Sequence, residues 1–121
     1  MKVNFLHYHI EDEWMKLLLI NPKLVFITLR FCQLAGGEIT ITHLYRTEKQ
    51  QRAFYPDDPN KRSVHEFWRG VDVRTKDLDS KVVAEAVNML NAEFYYDNKR
   101  NTALVHTIGR GVHLHLQTKS V

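Results

Sequence analysis

An α+β fold, with helices packed on one face of a small antiparallel sheet, is what this sequence of 121 residues predicts. Three patterns point there. Apolar residues recur at helical spacing in the first third and again from Leu78 to Tyr96, a short alternating stretch runs from Glu38 to Thr42, and two alternating segments near the end flank Gly109-Arg110-Gly111. Helices and strands of this length must bury their apolar sides against each other, and a two-layer α+β arrangement does so. The length suits one domain, residues 1–121, able to bury roughly two-thirds of the surface its unfolded chain exposes.

In order along the chain, the first forty residues read as helical. Trp14, Leu17 and Leu18 share one helix face until Asn21-Pro22 interrupts it, with Asn as cap and Pro in the first turn of a second helix. Leu24, Ile27, Phe31 and Leu34 form that helix's stripe, and Gly36-Gly37 ends it; the β-branched content leaves strand open as an alternative for Leu24 to Leu29. Glu38 to Thr42 is a half-buried strand, with Ile39 and Ile41 inward. Arg46 to Arg69 reads as a long polar loop carrying a short helix over Thr47 to Phe54, and loops this long in a small domain tend to be functional. Gly70 to Arg74 is a second strand, with Val71 and Val73 opposite Asp72. Leu78, Val82, Ala86, Leu90 and Phe94 mark a helix from Leu78 to Tyr96. Ala103 to Ile108 and Val112 to Gln117 form a closing hairpin.

Composition removes several function classes. The longest apolar run, Leu17 to Ile20, is too short to span a bilayer, and the residues after Met1 lack the apolar core of a secretory signal, so a soluble product made in the cytoplasm is expected. A single cysteine, Cys32 in an apolar stretch, precludes an internal disulfide and a cysteine zinc site. The net charge of +3 leans toward an anionic partner, but the basic residues are scattered and form no nucleic-acid motif. Neither nucleic acid nor membrane is therefore expected as a partner, and a monomer is expected.

Seven histidines are many for this length, and their placement is informative. His113 and His115 alternate on one strand and project from the same face. His65 lies in the long loop and Asp72 follows seven positions later in a strand. Two imidazoles with one carboxylate make a common catalytic zinc set that leaves a position for water; a solvated histidine pair is the competing reading. His7 and His9 also alternate, but with no carboxylate in step they read as structural or exposed.

The segments Ile39-Thr-Ile-Thr-His-Leu-Tyr-Arg46 and Ser63-Val-His-Glu-Phe-Trp-Arg-Gly-Val-Asp-Val73 resemble the D-alanyl-D-alanine carboxypeptidase and L-Ala-D-Glu endopeptidase family of zinc peptidases, the type found in phage endolysins. That family has a strand ending in Tyr-Arg, then Ser-x-His with an Asp seven residues beyond the His, then a late strand bearing the last His. The resemblance runs from about Leu24 to Gln117, and His113-Leu-His-Leu-Gln117 is similar to the His-x-His strand of lysostaphin-type enzymes. It implies one zinc ion held by His65, Asp72 and His115, in a cleft on a sheet like that of the related hedgehog-type zinc domains. It also implies that Arg46 binds the substrate carbonyl or oxyanion, and that Ser63, Tyr45 and Trp68 support or line the substrate site. The family places an acidic base three positions before the last ligand. Val112 stands there if His115 is the ligand and Arg110 if it is His113, so His113 is expected as proton acceptor, with His106 assisting. Glu66 reads as a second partner of His65 or as a solvated side chain.

The function expected from this resemblance is hydrolysis of a peptide bond in peptidoglycan, either release of terminal D-alanine or cleavage within the stem peptide. A lysis enzyme released to the cell wall fits a chain without a signal. A catalytically silent metal-binding module of the same fold is the alternative.

Overall fold

The computed structural model describes residues 1–108 and 111–121, the side chains of 107 and 108 excepted. Five strands, β1 (Lys2–Phe5), β2 (Glu38–His43), β3 (Gly70–Arg74), β4 (Ala103–Ile108) and β5 (Gly111–Gln117), form one open sheet in the order β1-β2-β3-β5-β4. Four helices accompany it: α1 (Tyr8–Ile20), α2 (Pro22–Leu34), α3 (Glu48–Phe54) and α4 (Ser80–Glu93), with a 3₁₀ turn at Val64–Phe67. None of the helices among the described residues is long and apolar enough to cross a membrane.

The α+β expectation holds, with two corrections. The first forty residues are not helical throughout: Lys2–Phe5 is an edge strand. The sheet is mixed rather than antiparallel, because β1 runs parallel to β2, pairing Val3 with Ile39 and Phe5 with Ile41. Parallel neighbours need a crossover, and α1 and α2 supply it. The other pairings are antiparallel.

Alternation divides the sheet into two faces. Ile39, Ile41, Val71, Val73, Leu114 and Leu116 point into one core shared with Ile10, Trp14 and Leu17 of α1, Leu24, Ile27 and Phe31 of α2, and Ala86 and Leu90 of α4. Each Val, Leu, Ile or Phe among them contributes roughly 1.5–3 kcal/mol by leaving water. Cys32 belongs to this core, a free thiol fully buried. Leu18 does not share the buried face of α1 and stays 40% exposed; Ile10, Trp14 and Leu17 do the packing.

The punctuation residues act much as the sequence implies. The Asn21 side chain caps α2 through the Leu24 amide, and Pro22 occupies its first turn, so helix prevails over strand for Leu24 to Leu29. Gly36 and Gly37 both take positive φ after α2, where a side chain would be strained. Asp79 caps α4, which starts later and ends earlier than its apolar stripe, closing at Glu93. The long loop is better ordered than its composition suggests. Thr47 with Gln50 makes a capping box on α3, and Ser63 with Glu66 makes one on the 3₁₀ turn. The hairpin turn expected at Gly109-Arg110-Gly111 begins with two residues, 109 and 110, outside those described.

A register shift in β2 matters most for function. Simple alternation would put His43 on the same side as Ile41, but the pairing slips between them, Ile41 lying opposite Val73 and His43 opposite Asp72. The irregularity turns His43 to the face away from the core helices, where Asp72, His113 and His115 also project.

Candidate metal centre

The second face of the sheet carries a row of ionisable side chains because strand register puts them there. His115 of β5 lies opposite Asp72 of β3, and His113 lies opposite Arg74 on one side and His106 of β4 on the other. His65 arrives from outside the sheet, on the 3₁₀ turn. Its amide donates to Ser63 Oγ (3.2 Å), and its carbonyl accepts from the Arg46 amide (3.2 Å). These bonds fasten the turn beside the Leu44–Arg46 segment that continues β2.

The result is a buried trio of His65, Asp72 and His115, only 4%, 5% and 7% exposed. One donor atom from each lies within 4.8 Å of the others. The hydrogen-bond partners fix which nitrogens are bare. His65 Nδ1–H donates to Leu44 O (2.8 Å), leaving an Nε2 lone pair 3.3 Å from Asp72 Oδ2. Gln117 Nε2 donates to Asn101 O (2.8 Å), which turns Gln117 Oε1 toward His115 Nε2 at 3.1 Å. That oxygen only accepts, so the hydrogen of His115 sits on Nε2 and a lone pair on Nδ1 faces Asp72 Oδ1 at 2.8 Å. With both rings neutral, two ring lone pairs therefore face one buried carboxylate. A cation has to stand between them, either an extra proton on each ring or a single metal ion. Ring N–H groups anchored on Leu44 O and Gln117 Oε1 are the outer bonds that orient histidine ligands, so the donor set fits a divalent metal.

Burial opposes ionisation of Asp72, but the positive charge and hydrogen bonds that His65 and His115 can bring outweigh it and hold this carboxyl well below its ordinary value of 3.8. Burial has the reverse effect on the nearby rings: His43 and His106 are both held below the usual histidine value, desolvation being the main cause and neighbouring histidines adding to it. Neutral imidazole is the form that ligates metals.

Space is reserved for this cluster. A Cβ on Gly70 would meet Val64 Cγ2 at 2.7 Å, His115 Cε1 at 3.1 Å and His65 Cε1 at 3.3 Å. The trio opens onto a cleft of about 960 Å³. Arg46, Lys61, Arg62, Arg74 and Lys76 line it, and Asp72 is the one acidic residue among the described lining residues.

The remaining residues singled out from sequence sort clearly. His113 reaches the cleft, its Nε2 3.6 Å from Asp72 Oδ2, and His106 stands beside it with ring centroids 4.3 Å apart. Arg46 also lines the cleft. Its Nη1 donates to Gln51 Oε1 (2.7 Å) and its guanidinium lies over the Phe54 ring, 4.6 Å from the centroid. Gln51 is itself buried and bound to Lys61 O, so the arginine is braced. Ser63 borders the cleft, but its hydroxyl caps the turn beneath His65. Tyr45 and Trp68 stack on each other, 4.4 Å between centroids and 14° between planes, and are not among the residues that line the cleft. Glu66 is buried rather than solvated, accepting from the Ser63 amide (2.8 Å) and pairing with Arg62 (3.2 Å). His7 and His9 stack on each other at the surface, at the start of α1.

Three contributors escape the sequence pattern: His43, Gly70 and Gln117. The last two were in step with Asp72 and with His115, a period of two that carries the signal. Comparison with protein-family models, with curated protein sequences and with solved structures gave no match to this chain.

Proposed function

We propose that the protein is a zinc peptidase that holds one ion through His65, Asp72 and His115 and cleaves a peptide bond in bacterial peptidoglycan. The observation that carries the metal is the buried convergence of one donor atom each from His65, Asp72 and His115, with the outer nitrogens of both rings held by Leu44 O and Gln117 Oε1. A divalent ion in that place supplies Lewis-acid chemistry, polarising a carbonyl and acidifying a water.

The chain's own groups supply the rest. His113 lines the cleft, its Nε2 has no hydrogen-bond partner among the described residues, and it accepts the proton of the attacking water and returns it to the leaving amine. His106 lies against it and helps keep the ring in place. Arg46, always charged and braced by Gln51, donates to the carbonyl oxygen as negative charge grows there. The cationic lining favours a peptide rich in carboxylates, which the stem peptides of the wall provide. The match of Tyr45-Arg46, Ser63-Val64-His65, Asp72 and His115 to the pattern of wall peptidases supports that substrate class. Whether the terminal D-alanine or an internal bond is cut depends on the shape of the cleft.

One observation favours a second reading. No carboxylate other than Asp72 is available among the described lining residues to act as base, as a catalytically silent metal-binding module would have it. Digestion of purified peptidoglycan by the zinc-loaded protein, followed by mass spectrometry, separates the two. New fragments from wild type but not from His65→Ala or His113→Ala support the peptidase. An intact wall with zinc bound at one equivalent supports the silent module.

A further inference from the structure

Beside the buried trio stands a second group of donors that the first ion does not use. His106 Nε2 and His113 Nε2 are both shielded from solvent and without a hydrogen-bond partner among the described residues. An unsatisfied buried polar atom costs about 1–3 kcal/mol, so two side by side call for an explanation. Strand register sets them opposite each other across β4 and β5, on the face that carries Asp72. Their rings meet edge-on, tilted by 62° with centroids 4.3 Å apart, a contact that packs the rings but supplies neither nitrogen with a hydrogen bond. His113 Nε2 stands 3.6 Å from Asp72 Oδ2, too far for a hydrogen bond yet within reach of a shared ion. One donor atom each of Asp72, His106 and His113 lie within 4.8 Å of one another.

We infer that His106, His113 and Asp72 form a second, weaker site for a divalent cation of the zinc, nickel or copper type, with Asp72 as the carboxylate common to both sites. Carboxylates have two oxygens and bridge metal pairs in many two-metal centres, while imidazole selects these borderline ions over calcium or magnesium. The second ion binds less tightly for an electrostatic reason: one anionic side chain then serves two dications, and His106 and His113 are more exposed than His65 and His115. Where it bears on catalysis, the inference rests on the function proposed above. An ion on His113 Nε2 removes the proton acceptor, so hydrolysis rises with the first equivalent of zinc and falls with the second. The binding site itself stands independently of that activity.

The test is calorimetric titration of zinc chloride into the metal-free full chain carrying His7→Ala and His9→Ala, which removes the exposed pair as a competing site. Two classes are expected, one tight equivalent and one about 10-fold or more weaker, since two like charges share one carboxylate. His106→Ala should keep the tight equivalent and abolish the weak one. His106→Phe, which retains a ring but no nitrogen, should do the same, and an unchanged circular dichroism spectrum shows that both variants fold. A single class of one equivalent in the parent chain, or a weak class that survives His106→Phe, overturns the second site alone. A parent chain that takes up no zinc overturns the proposed function as well.

Discussion

Replacing Gly70 by alanine adds one methyl group where the two imidazoles of the candidate metal centre converge. The new Cβ would sit 2.7 Å from Val64 Cγ2, a separation real side chains do not tolerate, and 3.1 and 3.3 Å from the Cε1 atoms of His115 and His65. Gly70 does not hold a positive φ, so the effect is steric alone. Val64 belongs to the turn that presents His65, so relieving the clash moves the ligand. Overpacking of this kind costs about 1–3 kcal/mol, which at about 4 °C per kcal/mol for a chain this size lowers the apo melting temperature by roughly 4–12 °C. Displaced ligand orientation typically lowers metal affinity by about 10- to 100-fold. Zinc titration of folded Gly70→Ala, with thermal unfolding of the apo form, measures both. Wild-type zinc affinity in this variant would refute the view that the glycine keeps room for the two rings.

Other outcomes follow from the same geometry. Gln117→Leu removes the acceptor that fixes the His115 tautomer, and zinc affinity should fall about 10-fold with the fold intact, read by titration and circular dichroism. Leu90→Ala, at a fully buried position of α4, should destabilise by about 2–5 kcal/mol in urea unfolding. Cys32, fully buried, should react with a thiol reagent only at the rate of unfolding; labelling within seconds in native buffer would contradict the packing of α2. Arg30 hydrogen-bonds Glu93 and holds its carboxyl below 4.5. Its folded value is thus the lower one, so the pair's contribution is present above the ordinary carboxyl value and disappears as pH falls through the folded value. In an NMR titration the Glu93 midpoint should rise in Arg30→Gln.

Legibility of the fold tracked how local each signal is. Asn21-Pro22, Gly36-Gly37 and the apolar stripe of α4 are local and marked their elements directly. The strand at Lys2–Phe5 has only two inward residues, Val3 and Phe5, too few to separate a period of two from the helix beyond. Its parallel pairing with β2 depends on residues more than thirty positions away and leaves no local mark. The trio of candidate ligands was legible because the spacing of His65, Asp72 and His115 resembles that of a zinc site, and the structure brings the three together. His43 was not, since alternation assigns it to the core side and only the register shift in β2 reverses that. Tyr45 and Trp68 stand apart from the cleft lining for a local reason. Tyr45 precedes Arg46 and Trp68 lies three residues after His65, and the two rings stack on each other.

The trio is also spread along the chain: Asp72 pairs with His115 across forty-three positions, and His65 is fastened to Leu44 across twenty-one. No short fragment contains the donors, and they meet only once β3 and β5 have paired and the turn has docked on β2. An ion that binds only that assembled state adds its binding energy to the stability of the whole domain. Free zinc at a thousand times its dissociation constant would add about 4.1 kcal/mol, a sizeable part of the stability of a domain this small. Metal supply would then set how long the chain stays folded, and a protease would read a cell's zinc level before any substrate did.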